Sequence, residues 1–164
     1  MKQGVLINIL ASLVFLLLIG CFSGLPGSKT DLRPAIRQFP ELVGNVQSLP
    51  HIHYTYAGRP IDNRRDPVTF IYMSLRKGGH FFLYGLFGFF LANASAASGV
   101  RGIRRWVLAG AVVLTVACLD EWNQSHIAGR SRLIQDVLLD LAGFVAVAPA
   151  ARFFHDKIFH SSEC

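Results

Sequence analysis

Apolar residues gather in four runs along the chain: Val5 to Phe22, Gly79 to Ala97, Trp106 to Leu119 with a continuation to Trp122, and Ile134 to Ala151. Each run is near the ~20 residues that a helix needs to cross ~30 Å of hydrocarbon. In lipid an open strand would leave backbone groups unpaired, so the pattern predicts helices. Gly85 and Gly88 in the second run, and Ala109, Gly110 and Ala111 in the third, are small residues that let membrane helices approach closely. The expected fold is all-α: an integral membrane bundle of about four transmembrane helices, with a long extracytoplasmic loop between the first and second.

The implied organisation is a first transmembrane helix over 1–22, an extracytoplasmic loop over 23–76, a three-helix core over 77–154 and a polar tail over 155–164. The loop is rich in Pro, Gly, Arg and Asp, and Leu25-Pro26-Gly27-Ser28 and Ala57-Gly58-Arg59-Pro60 signal turns. Between them, Ile36, Phe39, Leu42, Val43 and Val46 fall at near-helical spacing and suggest a short amphipathic helix within Pro34 to Leu49. Ile52 to Ala57 reads as a short strand or an extended loop. The first run also has a rival reading. Lys2, an apolar stretch and Leu18-Ile19-Gly20-Cys21 together resemble a bacterial lipoprotein signal, in which Cys21 would be lipidated after cleavage. Both readings put the residues after Cys21 on the outer side.

Composition agrees with a lipid environment: 52% of residues are hydrophobic and 16% charged, and the mean hydropathy is +0.40. The net charge of +6 does not point to nucleic acid, because Lys and Arg lie in loops between apolar runs rather than on an aromatic-studded basic face. They are read as topology signals and contacts to anionic lipid, so the bilayer is the expected partner. Arg101, Arg104 and Arg105 in one short loop, with Arg152 and Lys157 in the tail, place both termini in the cytoplasm by the positive-inside rule. Cys21, Cys118 and Cys164 lack the paired spacing of a zinc site or a disulfide framework.

With that topology, three polar groups land on the outer membrane face. Lys77, His80 and Tyr84 lie at i, i+3 and i+7; Asp120, Glu121 and Gln124 close the third span; Asp136, Asp140 and Gly143 lie at i, i+4 and i+7 after Arg130 and Ser131. Ionisable groups inside a membrane usually face a bundle interior and mark a functional site. The spacing predicts a single outward-facing polar cluster.

The order Lys77-x-x-His80-Phe81-x-x-Tyr84, then Asp120-Glu121-x-x-Gln124, then Gly129-Arg130-Ser131 with Asp136 and Gly143 downstream, resembles the VanZ family. These are small bacterial membrane proteins named for a member linked to teicoplanin resistance. The resemblance covers Lys77 to about Ala150. It implies a multi-pass protein of the bacterial inner (cytoplasmic) membrane, a role at the cell envelope and a link to antibiotic resistance. Two departures are visible: Ala128 where a Pro before Gly-Arg is common, and Asp140 where Asn is usual.

Two kinds of chemistry suit the cluster. In a binding or resistance protein, Lys77, Tyr84, Gln124, Arg130, Ser131, Asp136 and Asp140 would orient an anionic cell-envelope or lipid-linked ligand, the Arg offering its planar fork. In an enzyme acting on a lipid-linked substrate, His80 and Glu121 are the acid/base or metal candidates. No cofactor is assigned, because no tight metal signature such as two His on one helical turn is present. Ser131 has no dedicated base in its segment, so it is not an evident nucleophile. A structural reading stands beside both, in which the polar groups tie helix ends together and Asp136 caps the fourth helix. Trp106 and Trp122 flank the third span as interfacial anchors. A transporter is disfavoured by four spans without an inverted repeat.

Overall fold

The computed structural model describes residues 3–127 and 134–150. Arg130, Ser131 and the tail from 155 lie outside the described residues, as do Arg152 and Lys157. In chain order the elements are α1 (Gln3–Gly24), α2 (Arg33–Ile36), α3 (Pro40–Ser48), β1 (His53–Tyr56), β2 (Arg59–Asp62), α4 (Pro67–Ala97), α5 (Ile103–Gln124) and α6 (Ile134–Val147).

The first three apolar runs are helical throughout and the fourth from Ile134 to Val147, and α4 starts well before its run does. Pro67 occupies the first turn, where its missing N–H is no loss, and Asp66 caps it by accepting from the Thr69 N–H at 3.0 Å. At the far end, Gly99 and Gly102 adopt positive φ (91° and 62°) in the tight connection to α5. The helix of 31 residues is thus ~46 Å long at 1.5 Å per residue. Its first three turns project beyond the point where α1 ends.

The long helices pack around α4, which contacts α1, α5 and α6. Ile19, Tyr84, Phe87, Val113, Ala117 and Val137 form the central apolar cluster. Phe15 of α1 stacks on Phe90 of α4 with ring centroids 5.5 Å apart. Antiparallel α1 therefore ends near the level of His80, where Asn123 Nδ2 of α5 donates to Ser23 Oγ at 3.1 Å.

The distribution of polarity is inverted relative to a water-soluble domain. Leu6, Leu10, Leu13 and Leu17 of α1 and Val107, Leu108 and Leu119 of α5 are exposed, whereas Asp120, Glu121, Gln124, Asp136 and Asp140 are buried. Apolar solvent outside and polar groups inside is the arrangement expected in lipid. Among the described residues, α1 and α4 are long and apolar enough to cross a membrane.

Between α1 and α4 the chain folds onto the projecting turns of α4. Pro40 splits the expected amphipathic helix into α2 and α3, since the residue before a proline avoids the helical region. Ile36, Val43 and Val46 pack on Ile71 and Tyr72 of α4. The hairpin β1–β2 pairs His53 with Asp62 and Tyr56 with Arg59. Its two central residues, Ala57 and Gly58, have φ of 51° and 75°, as the type I′ turn of two-residue hairpins requires. Asn63, with no exposed surface, clips the parts together: its Nδ2 donates to Val46 O (3.1 Å) and Pro50 O (3.2 Å), and its Oδ1 accepts from the Ile52 N–H (2.8 Å).

Removing that side chain would strand two carbonyls and an N–H. Asn63→Ala is expected to destabilise the 25–66 segment by about 2–3 kcal/mol, read as faster limited proteolysis there with the helical content retained. The hairpin should also respond to acid. The Asp62 carboxylate accepts from His51 Nε2 at 2.9 Å and from the Arg64 and Arg65 N–H groups at 2.8 and 3.0 Å. These bonds, the His51 one first, hold its pKa below the ordinary 3.8. A depressed carboxylate pKa contributes stability that is complete above 3.8 and is lost as pH falls through the lower folded value. The NMR signal of the Asp62 carboxyl carbon should remain that of the ionised form as pH passes 3.8 and change only on approach to that lower value.

Candidate functional site

Two helical stripes meet inside the bundle. α4 presents Lys77, His80 and Tyr84 on one face, and α6 presents Asp136, Asp140 and Gly143. The helices run parallel, so the stripes meet in order, as rungs one turn apart. They can do so because Gly143 lies directly against the backbone of α4, where a Cβ would collide with the carbonyl oxygen of Phe81. A Cβ at Gly85 would likewise stand 2.7 Å from Val147 Cγ2 and 2.8 Å from the carbonyl oxygen of Gly143.

The first rung is closed. Lys77 Nζ donates to both oxygens of Asp136, at 2.6 and 2.7 Å. Tyr56, from the hairpin, donates its hydroxyl to Asp136 Oδ1 and sets its ring 4.5 Å from the Lys77 ammonium. Burial, and then this bond to Asp136, push the Tyr56 pKa above its ordinary value. It therefore stays a neutral donor at any physiological pH.

The second rung is open. His80 Nδ1 lies 3.4 Å from Asp140 Oδ1, and neither Asp140 oxygen has a hydrogen-bond partner although the residue is fully buried. The His80 ring stacks on Tyr84, with centroids 6.3 Å apart. From α5, Asp120 joins this rung, its Oδ2 accepting from Gln124 Nε2 at 3.0 Å. One ligand atom each from His80, Asp120 and Asp140 falls within 4.8 Å of the others, so the three could share a cation.

Two cavities adjoin the rungs. One, of about 370 Å³, lies between α1 and α4 and is lined by Ile19, Phe22, Leu75 and Leu83, with His80 and Asp120 also in its wall and Lys29 and Arg76 among its basic groups. The other, of about 650 Å³, lies under the hairpin and is the more polar of the two, with Arg33, Arg59, Arg76, Lys77 and Asp31 in its lining. Tyr72 and Arg76 line both.

The structure thus brings together Lys77, His80, Tyr84, Gln124, Asp136 and Asp140, and buries Glu121 beside them; Arg130 and Ser131 lie outside the described residues. Asp136 lies in the first turn of described α6 but is engaged by Lys77 and Tyr56. His126 stays apart, against Trp122 at the exposed end of α5. Two contributors were missed by sequence reasoning, whereas Asp120 was placed in the polar cluster without a role of its own. Arg76 was hidden as one more loop cation, and Tyr56 depends on a hairpin fold that no local spacing announces.

Apolar helices facing outward around a buried acid–base ladder define a helical bundle of membrane-protein type. The chain belongs to the VanZ family: the family model described as VanZ/LLP1 matches residues 6–155. No curated protein and no solved structure matches it.

The closed rung makes a sharp prediction. Asp136→Asn leaves Lys77 buried without its counter-charge and should lower stability in detergent by about 3–5 kcal/mol. A Lys77→Met/Asp136→Leu double variant should recover most of that loss in thermal unfolding. A double variant as unstable as the single one would mean that the pair itself, rather than a stranded charge, sets the stability.

Proposed function

We propose that this VanZ-family chain is a four-span protein of the bacterial cytoplasmic membrane, with both termini cytoplasmic, that holds an anionic lipid-linked component of the cell envelope at its outer face. In this reading α5 and α6 also cross the bilayer. Trp106 and Trp122 support that for α5, since 16 residues of helix separate them by ~24 Å. The Arg101, Arg104 and Arg105 cluster lies at the opposite end from the ladder and favours a cytoplasmic α4–α5 turn.

The observation that carries the reading is the shared wall of the two cavities. A lipid-linked anion has an apolar tail and a charged head, and here an apolar cavity beside α1 adjoins a more basic one across Tyr72 and Arg76. Arg76 Nη1 lies 3.5 Å from the Tyr72 hydroxyl, and among the described residues it forms no ion pair. Its guanidinium is thus available for a phosphate or carboxylate in the bidentate manner that suits Arg. Lys77, by contrast, is committed to Asp136 and shapes the site rather than gripping the ligand. Protection against teicoplanin would follow from holding such an envelope component.

Removing a charge-assisted contact is worth about 1.5–3 kcal/mol, roughly tenfold or more in affinity. Titration of the detergent-solubilised protein with a polyprenyl phosphate should therefore show binding that weakens at least tenfold in Arg76→Gln. A bacterial host expressing the two forms at matched abundance should show the same ranking in teicoplanin tolerance. Equal binding by wild type and Arg76→Gln, or none by either, would remove the anionic-lipid reading.

A further inference from the structure

We infer that His80, Asp120 and Asp140 form a binding site for one first-row divalent cation, of the Mn²⁺ or Zn²⁺ class, which ties α4, α5 and α6 together beside the apolar cavity. The proposal stands on geometry and on uncompensated charge, and it does not depend on the lipid ligand.

The geometry is that of a ligand set. Each of three helices supplies one donor, and the donor atoms lie within 4.8 Å of one another. An ion ~2.1 Å from each ligand atom needs neighbouring donors ~3 Å apart and opposite ones ~4 Å apart. His80 Nδ1 and Asp140 Oδ1, at 3.4 Å, already meet that spacing, and small side-chain rotations bring in Asp120. Gln124 holds Asp120 by Oδ2 at 3.0 Å and leaves Oδ1 without a hydrogen-bond partner. Fixing one carboxylate oxygen so that the other is aimed at a metal is the usual part of an outer hydrogen-bond partner.

The charge argument is independent of the spacing. Asp140 has no exposed surface; His80 Nδ1 makes only a long 3.4 Å contact with its Oδ1, and among the described residues neither oxygen has a hydrogen-bond partner of normal geometry, a condition that native proteins avoid for a buried carboxylate. The nearby ammonium cannot supply the missing partner, because Lys77 is held by both oxygens of Asp136. A protonated His80 offsets one negative charge of two. A divalent ion offsets both and leaves the imidazole neutral, which is the form that coordinates. One imidazole with two carboxylates favours Mn²⁺ or Zn²⁺ over Ca²⁺, which takes oxygen ligands in larger number. His80 and Asp120 also line the apolar cavity, so a remaining coordination position of the ion faces that space.

The test uses the full chain in detergent, stripped with a chelator and titrated with Mn²⁺ while the free-ion electron paramagnetic resonance signal is followed. One ion per chain is expected, displaced by Zn²⁺, with affinity lowered at least tenfold in Asp120→Asn and in Asp140→Asn and unchanged in the hairpin variant Asp62→Asn. Pulsed measurements on bound Mn²⁺ in the wild type should show coupling to an imidazole nitrogen that is absent in His80→Gln. The wild-type spectrum does not require any variant to fold. Failure of the wild type to bind, binding without nitrogen coupling, or wild-type affinity in both Asn variants would each overturn the site. Because no lipid is present in this experiment, its failure leaves the lipid-binding result standing, and the converse also holds.

Discussion

The contact on which the polar interior depends is the one between Gly143 and the backbone of Phe81. With no side chain between them, α6 lies close enough to α4 for short acidic residues to reach basic ones. Lys77 meets Asp136, and His80 meets Asp140, because the two helices run in the same direction at that separation. A methyl group at position 143 would push the helices apart and stretch both rungs together. Membrane helices gain little from hydrophobic association with one another, so close packing and interhelical polar contacts have to hold the bundle together. Here one glycine serves both.

The two rungs are alike in composition and unlike in state. The first has a cation, an anion and a neutral donor from outside the bundle, and every strong group in it is answered. The second has two acids, one imidazole and oxygens with nothing to accept from. A compensated ion pair and an uncompensated acidic cluster lie one helical turn apart. The difference comes from the neighbours: Tyr56 and a saturated Lys77 above, Asp120 and an open cavity below.

Much of the bundle could be read from the chain because helical spacing is a local property. The apolar runs marked the four long helices, and the i, i+3, i+4 and i+7 relations among Lys77, His80, Tyr84, Asp136, Asp140 and Gly143 put these residues on facing stripes. Hydropathy was a poorer guide to the start of α4, because Arg76 and Lys77 interrupt the apolar pattern while Asp66 and Pro67 already begin the helix ten residues earlier. Likewise, Asp120 rather than Glu121 completes the open rung. Adjacent positions on a helix differ by about 100° in direction, and no pattern in a single sequence says which way the helix is turned. Tyr56 and Asn63 act across 80 and 17 positions of chain, respectively. Contacts of that kind are set by how the 25–66 segment folds back, which periodicity does not encode.

The unbroken course of α4 has one more consequence. Its first turns carry the packing of α2 and α3, its middle carries both rungs, and its last turns reach the arginine-bearing turn before α5. A single helical rod therefore runs from the cap formed by the 25–66 segment through the ionisable layer to the opposite end. At the level of the rungs, the bare contact between Gly143 and the Phe81 backbone fixes how closely α6 can approach that rod.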